Sequence, residues 1–163
     1  MEGQQQNREP AAEIERDLDV RWITSLIPHR YPFLLVDRVV ELERRKRIVA
    51  IKNVSMNEEV FQGHFPGHPV YPGVLLVEGM AQAGGILLMR EMDPEERQRK
   101  LFYFGALERV RFRRPVVPGD QVRYEVRVLR WRASAAGCKL EARAMVDGKL
   151  AAEARISSIM VDR

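Results

Sequence analysis

The chain has 163 residues, long enough to bury one core and too short for two ordinary domains. Lys and Arg number 27 against 23 Asp and Glu, a net +4 that exerts a weak pull on anions and carries no recognisable nucleic-acid motif. The lone cysteine, Cys138, rules out an intramolecular disulfide, is expected to be a small buried apolar residue, and fits a reducing, cytoplasmic setting.

In chain order, residues 1–17 (MEGQQQNREPAAEIERD) have no apolar run and are expected to form a disordered polar tail, leaving 18–163 as one domain. Leu18, Trp22, Ile23, Leu26 and Ile27 recur at helical spacing before Pro28, which predicts a short amphipathic helix there. FLLVDRVVEL and RIVAIKNV are rich in β-branched residues and flank the charged stretch Glu43 to Lys46, which predicts a hairpin. From Asn57 to Gly73, six glycines and prolines break all periodicity and make a stiff loop of the kind that positions functional groups.

The run VLLVEGMAQAGGILLM, from Val74 to Met89, is apolar nearly all round and follows Pro72, which predicts a buried central helix. Glu78, Gln82 and three glycines within it argue against a membrane span. Downstream, LFYFGALERVRF and QVRYEVRVLRW alternate apolar and charged residues around a turn at Pro118-Gly119-Asp120, predicting strands with one buried face. Two further strands meet at Asp147-Gly148, a two-residue hairpin signal. The expected class is α+β, a mostly antiparallel sheet covering one long helix.

Glu78 and Gln82 are four residues apart, on one face of an otherwise apolar helix. Burial disfavours a charged carboxylate, so Glu78 is expected to be held protonated and to serve as a general acid, or else to fix packing through Gln82. His64 stands in GHFPGHPVYPG, a proline-stiffened loop, where an imidazole is suited to take a proton near neutral pH. His68 follows four residues on, but with no Cys or third His near it no metal site is expected. Gly73 precedes the helix, where an unpaired N–H at the positive dipole end makes an oxyanion site. A base, a buried acid and an oxyanion donor together suit proton abstraction beside a carbonyl and loss of a β-leaving group, with no cofactor.

PHRYPFLLVDRV (28–39), GHFPGHPVYPGVLLVEGMAQ (63–82) and FGALERVRFRRPVVPGD (104–120) resemble the FabZ-type 3-hydroxyacyl-acyl-carrier-protein dehydratases. The resemblance implies a hotdog fold, an antiparallel sheet wrapped around a central helix. It also implies that His64 removes the C2 proton of a 3-hydroxyacyl thioester, that Glu78 protonates the departing hydroxyl, and that Gly73 N–H holds the thioester carbonyl. Val70 would orient the imidazole, Gln82 would hold Glu78, and Tyr103 matches an aromatic gate of the acyl tunnel, or packs in the core. In this family each site draws on two subunits, so a homodimer is the least active unit and a hexamer is usual. The related FabA type carries Asp where Glu78 stands, which favours FabZ. Tyr71 departs from the common pattern, where Met is frequent.

Eight arginines between Arg109 and Arg132 are opposed there only by Glu108, Asp120 and Glu125, a surface suited to an acidic carrier protein, with Arg111, Arg113 and Arg114 as candidates. Nucleic acid and membrane are not expected partners. The alternatives are a hotdog acyl thioesterase, against which the His64 loop argues, and a non-catalytic acyl-binding hotdog, which would be expected to lack His64 or Glu78.

Overall fold

The computed structural model describes residues 13–132 and 137–163. Seven strands form one antiparallel sheet: β1 (Ile14–Leu18), β2 (Arg38–Glu43), β3 (Arg47–Asn53), β4 (Lys100–Phe112), β5 (Gln121–Arg132), β6 (Gly137–Val146) and β7 (Lys149–Asp162). Their spatial order is β1-β2-β3-β5-β6-β7-β4. Helix α1 (Val20–Leu26) follows β1, α2 (Gly73–Met89) is the long helix, and α3 (Pro94–Gln98) leads into β4. The sheet packs along α2 through β3, β5, β6 and β7, which is the hotdog arrangement.

Local turn chemistry sets the hairpins. Asp147 and Gly148 both have positive φ (50° and 71°), as a tight turn of this hand requires, and they join Val146 and Lys149 in register. At the β4–β5 connection, Gly119 has φ 97° and the Val117 N–H donates to Asp120 Oδ2 at 3.0 Å. The β2–β3 turn falls within the charged stretch, with Arg45 at φ 60°.

The core explains the composition of α2. Leu76, Val77, Met80, Ala83, Ile86 and Leu87 are all buried, each worth about 1.5–3 kcal/mol where large. Inward positions of β6 alternate as Cys138, Leu140, Ala142, Ala144 and Val146, and small residues there and on β7 let the helix approach closely. Burial pushes the Cys138 thiol up to about 11, leaving it inert. Among the described residues, no helix is long and apolar enough to cross a membrane.

The structure departs from expectation in three places. Residues 14–17, expected in the polar tail, belong to β1, which pairs with β2 from Ile14↔Glu43 to Leu18↔Val39. It is a polar outer strand held by backbone pairing and by ion pairs from Arg16 to Glu41 (2.6 Å) and from Arg90 to Glu15 (2.9 Å), so it shows no apolar periodicity. The remainder of that expected tail, residues 1–12, lies outside the described residues. The first helix starts at Val20 rather than Leu18 because Asp19 caps it, accepting from the Trp22 N–H at 3.0 Å. Finally, β4 does not bury one face: it is an edge strand on which Tyr103, Phe104, Leu107 and Phe112 are all exposed.

Candidate active site

The His64 loop is pinned from below. Phe61, buried in the single turn Glu59–Gln62, anchors its start, and the His64 N–H donates to Val60 O at 3.0 Å. The Val70 N–H returns to His64 O at 3.1 Å, while His64 Nδ1 lies 2.5 Å from Val70 O. A carbonyl oxygen only accepts, so Nδ1 carries the ring proton and Nε2 is left with a free lone pair. The ring stacks on Phe65 with centroids 4.0 Å apart. One residue beyond Val70, Tyr71 points inward and is buried, with the Lys52 ammonium 5.6 Å from its ring.

Glu78 projects from the second turn of α2 into the wall of an apolar cavity of about 260 Å³. Ile27, Leu88, Met89, Leu101, Phe102 and Tyr103 make much of that wall, so β4 closes one side of it. Gln82, 2% exposed, braces the carboxyl: its Nε2 donates to Glu78 Oε1 at 2.9 Å and to Phe33 O at 2.8 Å, while its Oε1 accepts from the Leu35 N–H at 2.8 Å. His29 Nε2 stands 3.5 Å from the same Glu78 Oε1.

Burial is the largest single influence on Glu78 and raises its pKa. Donation from His29 and Gln82, the next largest influences, outweighs burial and holds the carboxyl below its ordinary value. The expectation of a carboxyl kept protonated by burial is therefore corrected. The helix is apolar, as its sequence indicates, but two donors reach Glu78: Gln82, one turn on along the same helix and oriented by Phe33 and Leu35, and His29, from a distant segment.

The structure does not join His64 to Glu78: among the described residues no hydrogen bond or ion pair links them, and no residue of the 57–73 loop lines the cavity that holds Glu78. Gly73 opens α2, and none of the loop or side-chain hydrogen bonds engages its N–H among the described residues. A Cβ there would fall 2.7 Å from the Phe112 ring, so an aromatic neighbour also requires glycine at this position. Tyr103 lies on the cavity wall and is 55% exposed. Arg111 and Arg113 are exposed on β4 and just after it, Arg113 paired to Glu153 at 2.7 Å, whereas Arg114 is turned to Val146 O at 3.4 Å. Sequence reasoning passed over His29, although it lies in a segment bounded by Pro28 and Pro32, as His64 lies among prolines.

The family model of the FabA-like domain matches residues 27–155. A FabZ 3-hydroxyacyl-[acyl-carrier-protein] dehydratase of Koribacter versatilis (strain Ellin345) is 55% identical over 93% of this chain and 95% of its own. One from a Nitratiruptor species is 51% identical over 90% and 99%. The chain belongs to the FabA-like family, in its FabZ branch. The FabA-like match takes in His29, His64, Gly73, Glu78, Gln82 and Tyr103 and leaves out β1 and the end of β7. For the fold alone, the dehydratase heterocomplex ApeI:P of Xenorhabdus doucetiae superposes with a TM-score of 0.71 at 18% identity, covering 86% of this chain and 91% of its own. Cj0977 of Campylobacter jejuni gives 0.64 at 12%, covering 88% and 89%.

Proposed function

We propose that the protein dehydrates (3R)-3-hydroxyacyl-acyl-carrier protein to the trans-2-enoyl thioester in fatty acid biosynthesis, as a cytoplasmic hydro-lyase. The observation that carries this is a braced carboxyl in the wall of a largely apolar cavity of about 260 Å³, in a chain of the FabZ branch. His64 Nε2 takes the C2 proton, and the negative charge that builds on the thioester oxygen is held by the Gly73 N–H. Glu78 acts from its protonated form, the minor one near neutral pH: the C3–O bond breaks, the leaving oxygen takes that proton, and water departs with the C2=C3 double bond formed.

His64 comes from a second copy of the chain. Supporting this are the separation of His64 from the cavity and an uncovered apolar surface on β4 and its surroundings, with Tyr103, Leu107, Phe112, Phe65 and Val74 all exposed. An edge strand this apolar is a template for association, and a stable interface covers about 800 Å² of each partner. A hexamer is the assembly the family implies. The acidic carrier protein docks on Arg111 and Arg113, and Tyr103 gates the cavity mouth.

The test is to incubate the protein with 3-hydroxybutyryl-carrier protein and weigh the products. Loss of one water with the thioester intact supports dehydration, whereas free acid selects a thioesterase. His64→Ala and Glu78→Gln each lower turnover by about 100-fold or more. When the two inactive variants are mixed and allowed to exchange subunits, one intact site per dimer returns and activity reappears. No recovery on mixing overturns the shared site.

A further inference from the structure

We propose that His29 is a positioning residue for the acid step, its neutral Nε2–H donating to Glu78 Oε1 beside Gln82 and leaving Oε2 as the oxygen that serves the substrate. The inference rests on Glu78 being the acid.

Three observations converge on it. His29 Nε2 lies 3.5 Å from Oε1, beyond an ordinary N–H···O bond of about 3.2 Å or less and close enough to shorten into one, as catalytic contacts commonly do when substrate binds. Gln82 Nε2 donates to that same oxygen at 2.9 Å, and among the described residues no hydrogen bond or ion pair reaches Oε2. On the other side of the imidazole, Nδ1 is buried with no partner. A buried N–H without an acceptor is costlier than an unused lone pair, so the ring proton belongs on Nε2, where Oε1 can accept it. His29 is thus placed as a donor to Oε1.

The two donors act when the proton leaves. As Oε2–H passes its proton to the C3 hydroxyl, charge spreads over the carboxylate, and the N–H groups on Oε1 strengthen as it does so. They also fix the carboxyl plane, so that one oxygen is anchored and the other works. The remaining titratable groups nearby are Tyr103 of β4, on the wall of the same cavity, and Tyr124 of β5, packed under Gly79 and sensing the Glu78 charge.

The experiment compares His29→Phe, which keeps the ring and removes the donor, with His29→Gln, whose amide places an N–H near the position of Nε2. Turnover of 3-hydroxybutyryl-carrier protein is followed across pH, with assembly size and circular dichroism confirming the fold. His29→Phe is expected to lower kcat about 10- to 100-fold, the worth of a hydrogen bond to a charged group, with KM within about threefold. His29→Gln returns kcat to within about threefold of wild type. The limb of the kcat profile that belongs to Glu78 moves to higher pH in His29→Phe and stays in place in His29→Gln.

Wild-type kcat in His29→Phe overturns the inference. So do equal losses in both variants, whether the limb is unmoved, as a packing role gives, or moved in both, as a stored proton gives. Glu78→Gln separates the two levels. If it stays fully active, the acid assignment falls and this inference with it. If it is inactive while His29→Phe turns over normally, the inference alone falls.

Discussion

Gly79 gives the sharpest check on how α2 sits in the sheet. On an exposed helix, Gly→Ala gains about 1 kcal/mol. Here the new Cβ would fall 2.1 Å from the Tyr124 hydroxyl oxygen and 2.4 Å from the ring carbon that bears it. Tyr124 is wholly buried, so its ring can yield only by displacing core neighbours. Overpacking a filled core costs about 1–3 kcal/mol, and a contact this short belongs at the upper end, so Gly79→Ala should be destabilising by about 1–2 kcal/mol net. At about 2–4 °C per kcal/mol for a chain of this size, Tm falls by about 2–8 °C.

Gly85, on the same helix, is the control: nothing lies within 4 Å of its added Cβ, so Gly85→Ala should raise Tm by about 2–4 °C. Thermal unfolding is followed by circular dichroism at one protein concentration, because association shifts Tm. Adding Tyr124→Phe to Gly79→Ala removes the nearest atom and should recover about 0.5 kcal/mol or more as coupling between the sites. A Gly79→Ala protein that melts at or above wild type would refute the placement of α2 against β5.

Gly85 also lines the cavity proposed to hold the acyl chain, so Gly85→Ala should depress turnover of long-chain substrates more than that of 3-hydroxybutyryl-carrier protein; an unchanged chain-length profile would remove this cavity as the acyl site. Gln82→Leu keeps the volume but leaves the Leu35 N–H and Phe33 O without their partner, and should cost at least about 2 kcal/mol, read as a lower urea midpoint. Glu91 is held below the ordinary carboxylate value of 4.5: burial raises it, but hydrogen bonds from Arg44 and Arg45 prevail. A depressed folded-state pKa gives stability that is present above the unfolded value and lost as pH falls through the folded one. Urea midpoints of wild type and Glu91→Gln should therefore differ most near pH 6 and converge towards pH 3, and a constant gap would show that the ion pairs contribute nothing.

The parts of the fold legible in sequence are those with local causes. Asp147-Gly148 announces its turn through two residues that tolerate positive φ, and α2 announces itself through apolar character on all sides. β1 and α3 were illegible because short polar elements take their stability from neighbours: β1 from pairing with β2 and from Arg90, and α3 from its place before β4. The alternation along β4 reads the same whether its apolar face meets its own core or another molecule, so exposure of Tyr103 and Leu107 has no sequence signature.

At the site, Glu78 and Gln82 could be paired from helical spacing alone. The partners that set the carboxyl's behaviour could not, since Phe33 and Leu35 reach Gln82 across 49 and 47 residues and His29 approaches from the same distant segment. Burial without those donors predicts the wrong direction for Glu78.

One strand, β4, forms a wall of the cavity beside Glu78 with Leu101, Phe102 and Tyr103 and also presents the uncovered apolar edge. With a second copy seated on that edge, association and ligand binding become linked equilibria, and reciprocity holds between them. An acyl chain that fits the cavity tightens the dimer by the same factor by which dimerisation tightens the chain, so dilution alone should weaken substrate affinity.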